Sequence, residues 1–248
     1  MAATVLISGA NRGIGRGLVQ KYLTRPNTTV LAAVRSPSSE DSQSLQSIAA
    51  ATGSRVVILK VDSTSDEDAR EAIEFAKSQG ITAIDTVIAN AGTFTPAAYQ
   101  PVADVDVAHV KDHLDINTVG PVRLFQAVFP LLQKSENAKF IVISSLVGTI
   151  GGLKDIPYPN AAYGASKAAV NFFTRKIHFE NEDIVTLAVH PGAVKTVSGN
   201  EACQAVGFPE AFVEIQDSVN ALVAKFDAIS KEDGSGEFWG YDGSTIPW

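Results

Sequence analysis

The chain is poor in the features that mark several large protein classes. Its single cysteine, Cys203, excludes an intramolecular disulfide and a thiolate zinc site of the usual kind. No histidine stands beside that thiol, so a cysteine nucleophile is not expected. No apolar stretch approaches the roughly 18 residues of a membrane span. The first ten residues carry no basic segment, and their apolar run stops at Gly9, which does not fit a targeting signal. Basic charge is also scarce. With 20 Lys and Arg against 27 Asp and Glu, the net charge is −7, which argues against nucleic acid as the main partner. Linkers, charge runs and internal repeats are missing too. What remains is a 45% apolar chain able to bury a large core. We read residues 1–248 as one cytoplasmic domain whose partner is a small molecule, with no nucleic acid and no membrane.

Short β-branched runs alternate with longer helical stretches. Residues 4–8, 29–34, 55–61, 83–89, 139–144, 184–190 and 237–240 read as strands. Their apolar runs are continuous, as in parallel strands covered on both faces. Helices are expected over 14–25, 39–51, 65–79, 105–132, 163–180 and 211–229. Pro121 should break or kink the fourth of these, and Gly80 should end the third. Strand and helix in alternation predict an α/β fold: a doubly wound parallel sheet of about seven strands flanked by helices. Residues 148–160 and 196–209 are polar or Gly/Pro-rich enough to be mobile loops, and both follow strands, where open α/β sheets bind ligands.

Strand one runs into Ser8-Gly9-Ala10-Asn11-Arg12-Gly13-Ile14-Gly15. Three glycines at that place allow a tight turn and a close approach of pyrophosphate to the backbone. The helix behind them offers its free N–H groups to the charge. A dinucleotide site is the expectation. An Asp or Glu after strand two would accept from the ribose 2′-hydroxyl of NAD. None stands there. The chain has Val34-Arg35-Ser36, and Arg12 adds a second cation, so the expected cofactor is NADP(H). Asp62, after strand three, could accept from the adenine amino group or close an Asx-type turn.

Chemistry gathers near the fifth strand. Ser144 and Ser145 are followed, eighteen residues after the latter, by Tyr163, and Tyr163 and Lys167 share a helix face at i, i+4. A tyrosine with pKa about 10 is a poor acid–base group at neutral pH, and a nearby ammonium should lower it. A serine hydroxyl can bind a carbonyl oxygen as it becomes an alkoxide.

With these pieces in order, the chain resembles the short-chain dehydrogenase/reductase family over nearly its whole length. The matching pieces are Gly9-x-x-x-Gly13-x-Gly15, Asn90-Ala91-Gly92, Asn117, Ser145, Tyr163-x-x-x-Lys167 and Pro191-Gly192-x-x-x-Thr196. The resemblance implies a single-domain Rossmann fold and a catalytic set of Asn117, Ser145, Tyr163 and Lys167. In that set Tyr163 would be the general acid of carbonyl reduction, and Lys167 would lower its pKa and hold the nicotinamide ribose. Ser145 would orient the carbonyl, with Ser144 the neighbouring candidate, and Asn117 would steady a water relay to Lys167. The cofactor would be held by Gly9, Asn11, Arg12, Gly13, Ile14, Gly15, Arg35, Asp62, Asn90, Ala91, Gly92, Tyr163, Lys167, Pro191, Gly192, Val194 and Thr196. Ser8 stands where the family usually has threonine, and the stretch between Ser145 and Tyr163 is longer than usual. The extra residues, within 148–160, are expected to enlarge the wall of the substrate pocket. Phe94, Tyr158, Phe208 and Phe212 hint at an aromatic lining.

The opening turn and the aromatic ending 238–248 are similar to a branch of sniffer-type carbonyl reductases, C-factor-like proteins and fungal norsolorinic acid ketoreductase-like enzymes. That likeness implies reduction of a polyketide-derived aromatic ketone. The resemblance to the wider short-chain dehydrogenase/reductase family implies a homo-oligomer, dimer or tetramer, paired through helices 105–132 and 163–180 across a two-fold axis. A cofactor-binding regulator and an alcohol dehydrogenase running the reverse reaction are the alternatives. His109 and His113 have the i, i+4 spacing of a helical zinc pair but read as packing residues, and no metal is expected. No Gly-x-Ser-x-Gly elbow follows a strand, so Ser-His-Asp hydrolysis is not expected.

Overall fold

A computed structural model describes residues 3–248. The seven apolar runs form strands β1 (Ala3–Ser8), β2 (Thr28–Val34), β3 (Arg55–Lys60), β4 (Thr86–Ala89), β5 (Lys139–Ile143), β6 (Val185–His190) and β7 (Glu237–Gly240). They pair in parallel in the order β3-β2-β1-β4-β5-β6-β7. Alternate residues of each strand enter different cores. On one face Leu6, Leu31, Val87 and Phe140 pack with Ile73, Leu124, Val128 and Ile177. On the other Val5, Ile7, Val30 and Leu187 pack with Leu18, Val19, Val219 and Phe226. Helices on both faces leave no polar side to the sheet, which is why its strands are apolar throughout.

The helices are α1 (Gly13–Leu23), α2 (Glu40–Gln43), α3 (Asp68–Ser78), α4 (Val107–Leu114), α5 (Gly120–Leu132), α6 (Ala161–Glu180), α7 (Val197–Ala205) and α8 (Ile215–Ala228). Several differ from expectation. The helix expected over 39–51 stops after one turn and continues as a 3-10 turn, Ser44–Ser47. The helix expected from 65 starts at Asp68, because the Asp68 carboxylate turns back to accept from Lys60 and the Asp62 N–H. Gly80 does end that segment, with φ of +85°. The last expected helix, from 211, begins only at Ile215. Residues read as a mobile loop, 196–209, contain helix α7, whose first turn is capped by the Thr196 hydroxyl accepting from the Gly199 N–H at 3.0 Å.

Pro121 does not break its helix. A π-helical turn, Asp115–Val119, joins α4 to α5, and Pro121 falls in the first turn of α5. Proline has no N–H, so the Asn117 carbonyl loses its i+4 donor, and the wider turn absorbs that loss without interrupting the rod.

Candidate active site

The sheet order reverses between β1 and β4, and the crevice beyond their carboxyl ends is where an open α/β sheet receives a ligand. The glycine turn leaves β1 at that point. Gly9 has φ of +63°, and a Cβ on Gly15 would stand 2.1 Å from the Gly9 carbonyl oxygen, so no larger residue closes this turn. Ser8 ties the two strand ends together. Its hydroxyl accepts from the N–H groups of Asn90 (3.0 Å) and Ala91 (2.9 Å), while the Asn90 amide donates back to the Ser8 carbonyl at 2.8 Å. Serine thus supplies the hydroxyl expected of threonine at this position.

The remaining cofactor candidates border the same edge. Arg12 caps the start of α1 and Arg35 follows β2; both are exposed, and among the described residues neither guanidinium forms a hydrogen bond or ion pair. Asp62 closes an Asx turn, accepting from the N–H and hydroxyl of Thr64 at 3.0 and 2.8 Å. Those bonds, chiefly the N–H, hold its carboxyl below the usual range, with help from the Arg35 charge. Asn11 and Ile14 are half-buried in the glycine turn, and Gly92 lies exposed after β4. Pro191, Gly192 and Val194 follow β6; Val194 is buried and pairs with Val213 across an isolated bridge. The Thr196 methyl stands 3.1 Å from where a Cβ on Gly13 would be, which brings the loop after β6 over the glycine turn.

Four catalytic candidates converge at the ends of β4 and β5. Tyr163 sits in the first turn of α6 with Lys167 one turn on, the ammonium 5.7 Å from the phenol ring centre. Lys167 is 5% exposed and donates to the Ile143 carbonyl at 2.9 Å, and burial pulls its pKa down from 10.5 to about 8. Burial also pushes Tyr163 up to about 12, while the neighbouring Ser145 hydroxyl works against that rise. Desolvation outweighs that effect, so the shift of the phenol is upward in this environment. The two serines divide. Ser144 is buried and donates to the Asn171 amide oxygen at 2.6 Å, whereas Ser145 is half-exposed and meets Tyr163.

The Asn117 side chain is bound to the loop after β4. Its amide oxygen accepts from the Thr93 N–H (2.7 Å), and its nitrogen donates to the Thr93 carbonyl (2.9 Å) and the Ser166 hydroxyl (3.0 Å). With both ends committed, this side chain anchors the loop after β4. Sequence reasoning missed Thr93 and Ser166 here and took His113 for simple packing. The signal for His113 was its place four residues before Asn117, on the same helical face.

The segment 148–160 begins against the catalytic helix, where a Cβ on Gly148 would stand 2.8 Å from the Lys167 Cβ. With Pro101 and Val102 it lines an apolar cavity of about 850 Å³ against Ala161, Gly164, Ala165 and Ala168. Those positions form a different stripe of α6 from the one bearing Tyr163 and Lys167. Of the expected aromatic lining only Tyr158 is in that cavity. Phe94 packs edge-on against Tyr163 instead, and Phe208 and Phe212 pack on each other.

A family model described as short chain dehydrogenase matches residues 3–206. The chain belongs to the short-chain dehydrogenase family of oxidoreductases. A curated relative, norsolorinic acid ketoreductase of Aspergillus parasiticus, is 38% identical over 247 residues, covering 98% of this chain and 90% of that one. Among solved structures, the NADPH-bound carbonyl reductase from chicken fatty liver superposes with a TM-score of 0.87 at 28% identity, covering 100% of this chain and 99% of that one. Carbonyl reductase Sniffer of D. melanogaster gives 0.83 at 25%, covering both chains fully. The expected likeness to the sniffer-type and norsolorinic acid ketoreductase-like branch is borne out.

Proposed function

We propose that this protein is an NADPH-dependent carbonyl reductase, converting a ketone or aldehyde to an alcohol, and that its substrates are aromatic ketones of the polyketide type. The observation that carries the reading is the meeting of Tyr163 with Ser145 and the buried Lys167 ammonium, 5.7 Å from the phenol ring centre, at the same edge of the sheet as the glycine turn. A reductase needs a proton donor held neutral beside the oxygen that gains charge. The 38% identity to a norsolorinic acid ketoreductase supports the substrate class, as do Phe94 and Tyr99, which extend in edge-to-face contacts from the Tyr163 ring.

The residues present fit the cofactor. The turn from Gly9 to Gly15 would offer backbone N–H groups to a pyrophosphate, and the guanidiniums of Arg12 and Arg35, unpaired among the described residues, would suit a 2′-phosphate. NADPH, when bound, supplies the hydride. Ser145 donates to the carbonyl oxygen and fixes its position; Tyr163 passes its phenol proton to the same oxygen as charge builds there. Lys167 keeps a positive charge under the phenol, easing loss of the proton.

The test is NADPH oxidation measured across aromatic ketones, quinones, aliphatic aldehydes and steroids, on the wild type and on Tyr163→Phe. The expected result is turnover of aromatic ketones that falls by about 10²–10⁴-fold in the variant, with NADPH still bound. Undiminished turnover in Tyr163→Phe, or no reduction of any carbonyl by the wild type, would sink the proposal.

A further inference from the structure

His113 is fully buried at the end of α4 and has no charged partner among the described residues. One ring nitrogen, Nδ1, lies 2.7 Å from the His109 carbonyl oxygen. A carbonyl can only accept, so Nδ1 carries the proton, and Nε2 is left as an acceptor. It is used as one: the Thr95 N–H donates to Nε2 at 3.3 Å. Four residues on, Asn117 holds the N–H and carbonyl of Thr93. Two side chains from one helical face thus grip the loop after β4 on both sides of a single residue, Phe94.

What they hold in place is an edge contact on the proton donor. The Phe94 and Tyr163 ring centres are 5.5 Å apart with planes at 89°, and the His113 ring stands 6.2 Å from Tyr163 at 79°. Both contacts are of the edge-to-face kind, which is directional and resists rotation of the phenol.

We propose that His113 is a positioning residue for Tyr163: as the Nδ1–H tautomer it pins Thr95, and together with Phe94 it braces the phenol ring so that its hydroxyl keeps its place in the site. This rests on the reading of Tyr163 as proton donor, but the bracing itself is a property of the chain. The functional consequence is a loss in kcat when the brace is removed, since a proton donor displaced by a fraction of an ångström loses rate without losing cofactor.

The experiment compares His113→Leu, His113→Gln and Phe94→Ala with the wild type. Four quantities are read: kcat and KM for an aromatic ketone at saturating NADPH, NADPH affinity, melting temperature, and the Tyr163 ring-flip rate by NMR of ring-labelled tyrosine. His113→Gln keeps an acceptor for Thr95 and should stay within about threefold of wild-type kcat; His113→Leu should lose about 10–100-fold in kcat, keep NADPH affinity within about threefold, and flip its Tyr163 ring faster. If His113→Leu does not fold, Phe94→Ala takes its place, because it removes one brace without stranding a buried hydrogen bond. Unchanged kcat and ring-flip rate in the folded variants overturn the proposal, as does a loss of NADPH binding that matches the loss in kcat. Should the wild type reduce no carbonyl, the reductase reading fails, while the ring-flip rates still decide whether His113 and Phe94 brace Tyr163.

Discussion

Lys167 sets the energetics of the site at the scale of the residue. Among the described residues its buried ammonium has one carbonyl partner and no carboxylate, and burial lowers its pKa from 10.5 to about 8. That difference corresponds to roughly 3 kcal/mol of native stability given up while the group is charged. Below pH 8 both folded and unfolded chains hold the proton, and the penalty is paid in full. Between about pH 8 and 10.5 the folded lysine is neutral while the unfolded one is still charged, so stability rises with pH across that window. Lys167→Met has no such dependence. The unfolding free energy of wild type minus that of Lys167→Met, from urea titrations, should therefore climb by about 3 kcal/mol from pH 8 to 10.5. A flat difference would show that the ammonium is better solvated than its single partner implies. The same reasoning separates what could be read at Lys167 from what could not. Its spacing from Tyr163 placed the pair on one face, but the direction of the tyrosine's shift depended on burial, and burial is a property of the packed chain.

Among the elements, α7 and the π turn carry the local surprises. Residues 196–209 are polar and include Gly199, so propensity alone favours a loop. The Thr196 cap and the contact of Thr196 with the glycine turn nevertheless order one helix there. Thr196→Val removes the cap acceptor at a cost of about 1 kcal/mol, and hydrogen exchange should quicken in α7 while α6 and the sheet stay protected. Protection unchanged in α7 would mean that the helix is held by packing alone. The π turn is a second case. Pro121 was legible as a disruption, yet whether a helix breaks or widens depends on what its neighbours hold. Here Asn117 and Thr118 are buried, with Asn117 bound to Thr93 and Ser166 and Thr118 donating to the Ser166 carbonyl, so the rod stays continuous.

Across the whole molecule, a net charge of −7 opposes a polyanionic cofactor, and attraction must come from the local field at the ends of β1 and β2. Arg35→Ala should accordingly weaken NADPH binding by more than about tenfold and leave NADH within about twofold, measured by fluorescence titration at fixed salt. Equal effects on both cofactors would remove Arg35 from 2′-phosphate recognition. The alternation of apolar strands and amphipathic helices determined by itself the parallel, doubly wound sheet, because strands buried on both faces must be apolar throughout. Glycines 9, 13 and 15, the pair Ser144 and Ser145, Tyr163 and Lys167 were likewise legible, since each is required by a turn or by chemistry tied to its spacing. Only the tertiary structure decided which serine meets Tyr163, that Asn117 grips a loop, that His113 stands at the phenol, and that 148–160 joins Pro101 and Val102 around an apolar cavity. Those four depend on contacts between segments distant in the chain, and the direction in which a packed side chain points is set by its neighbours in space.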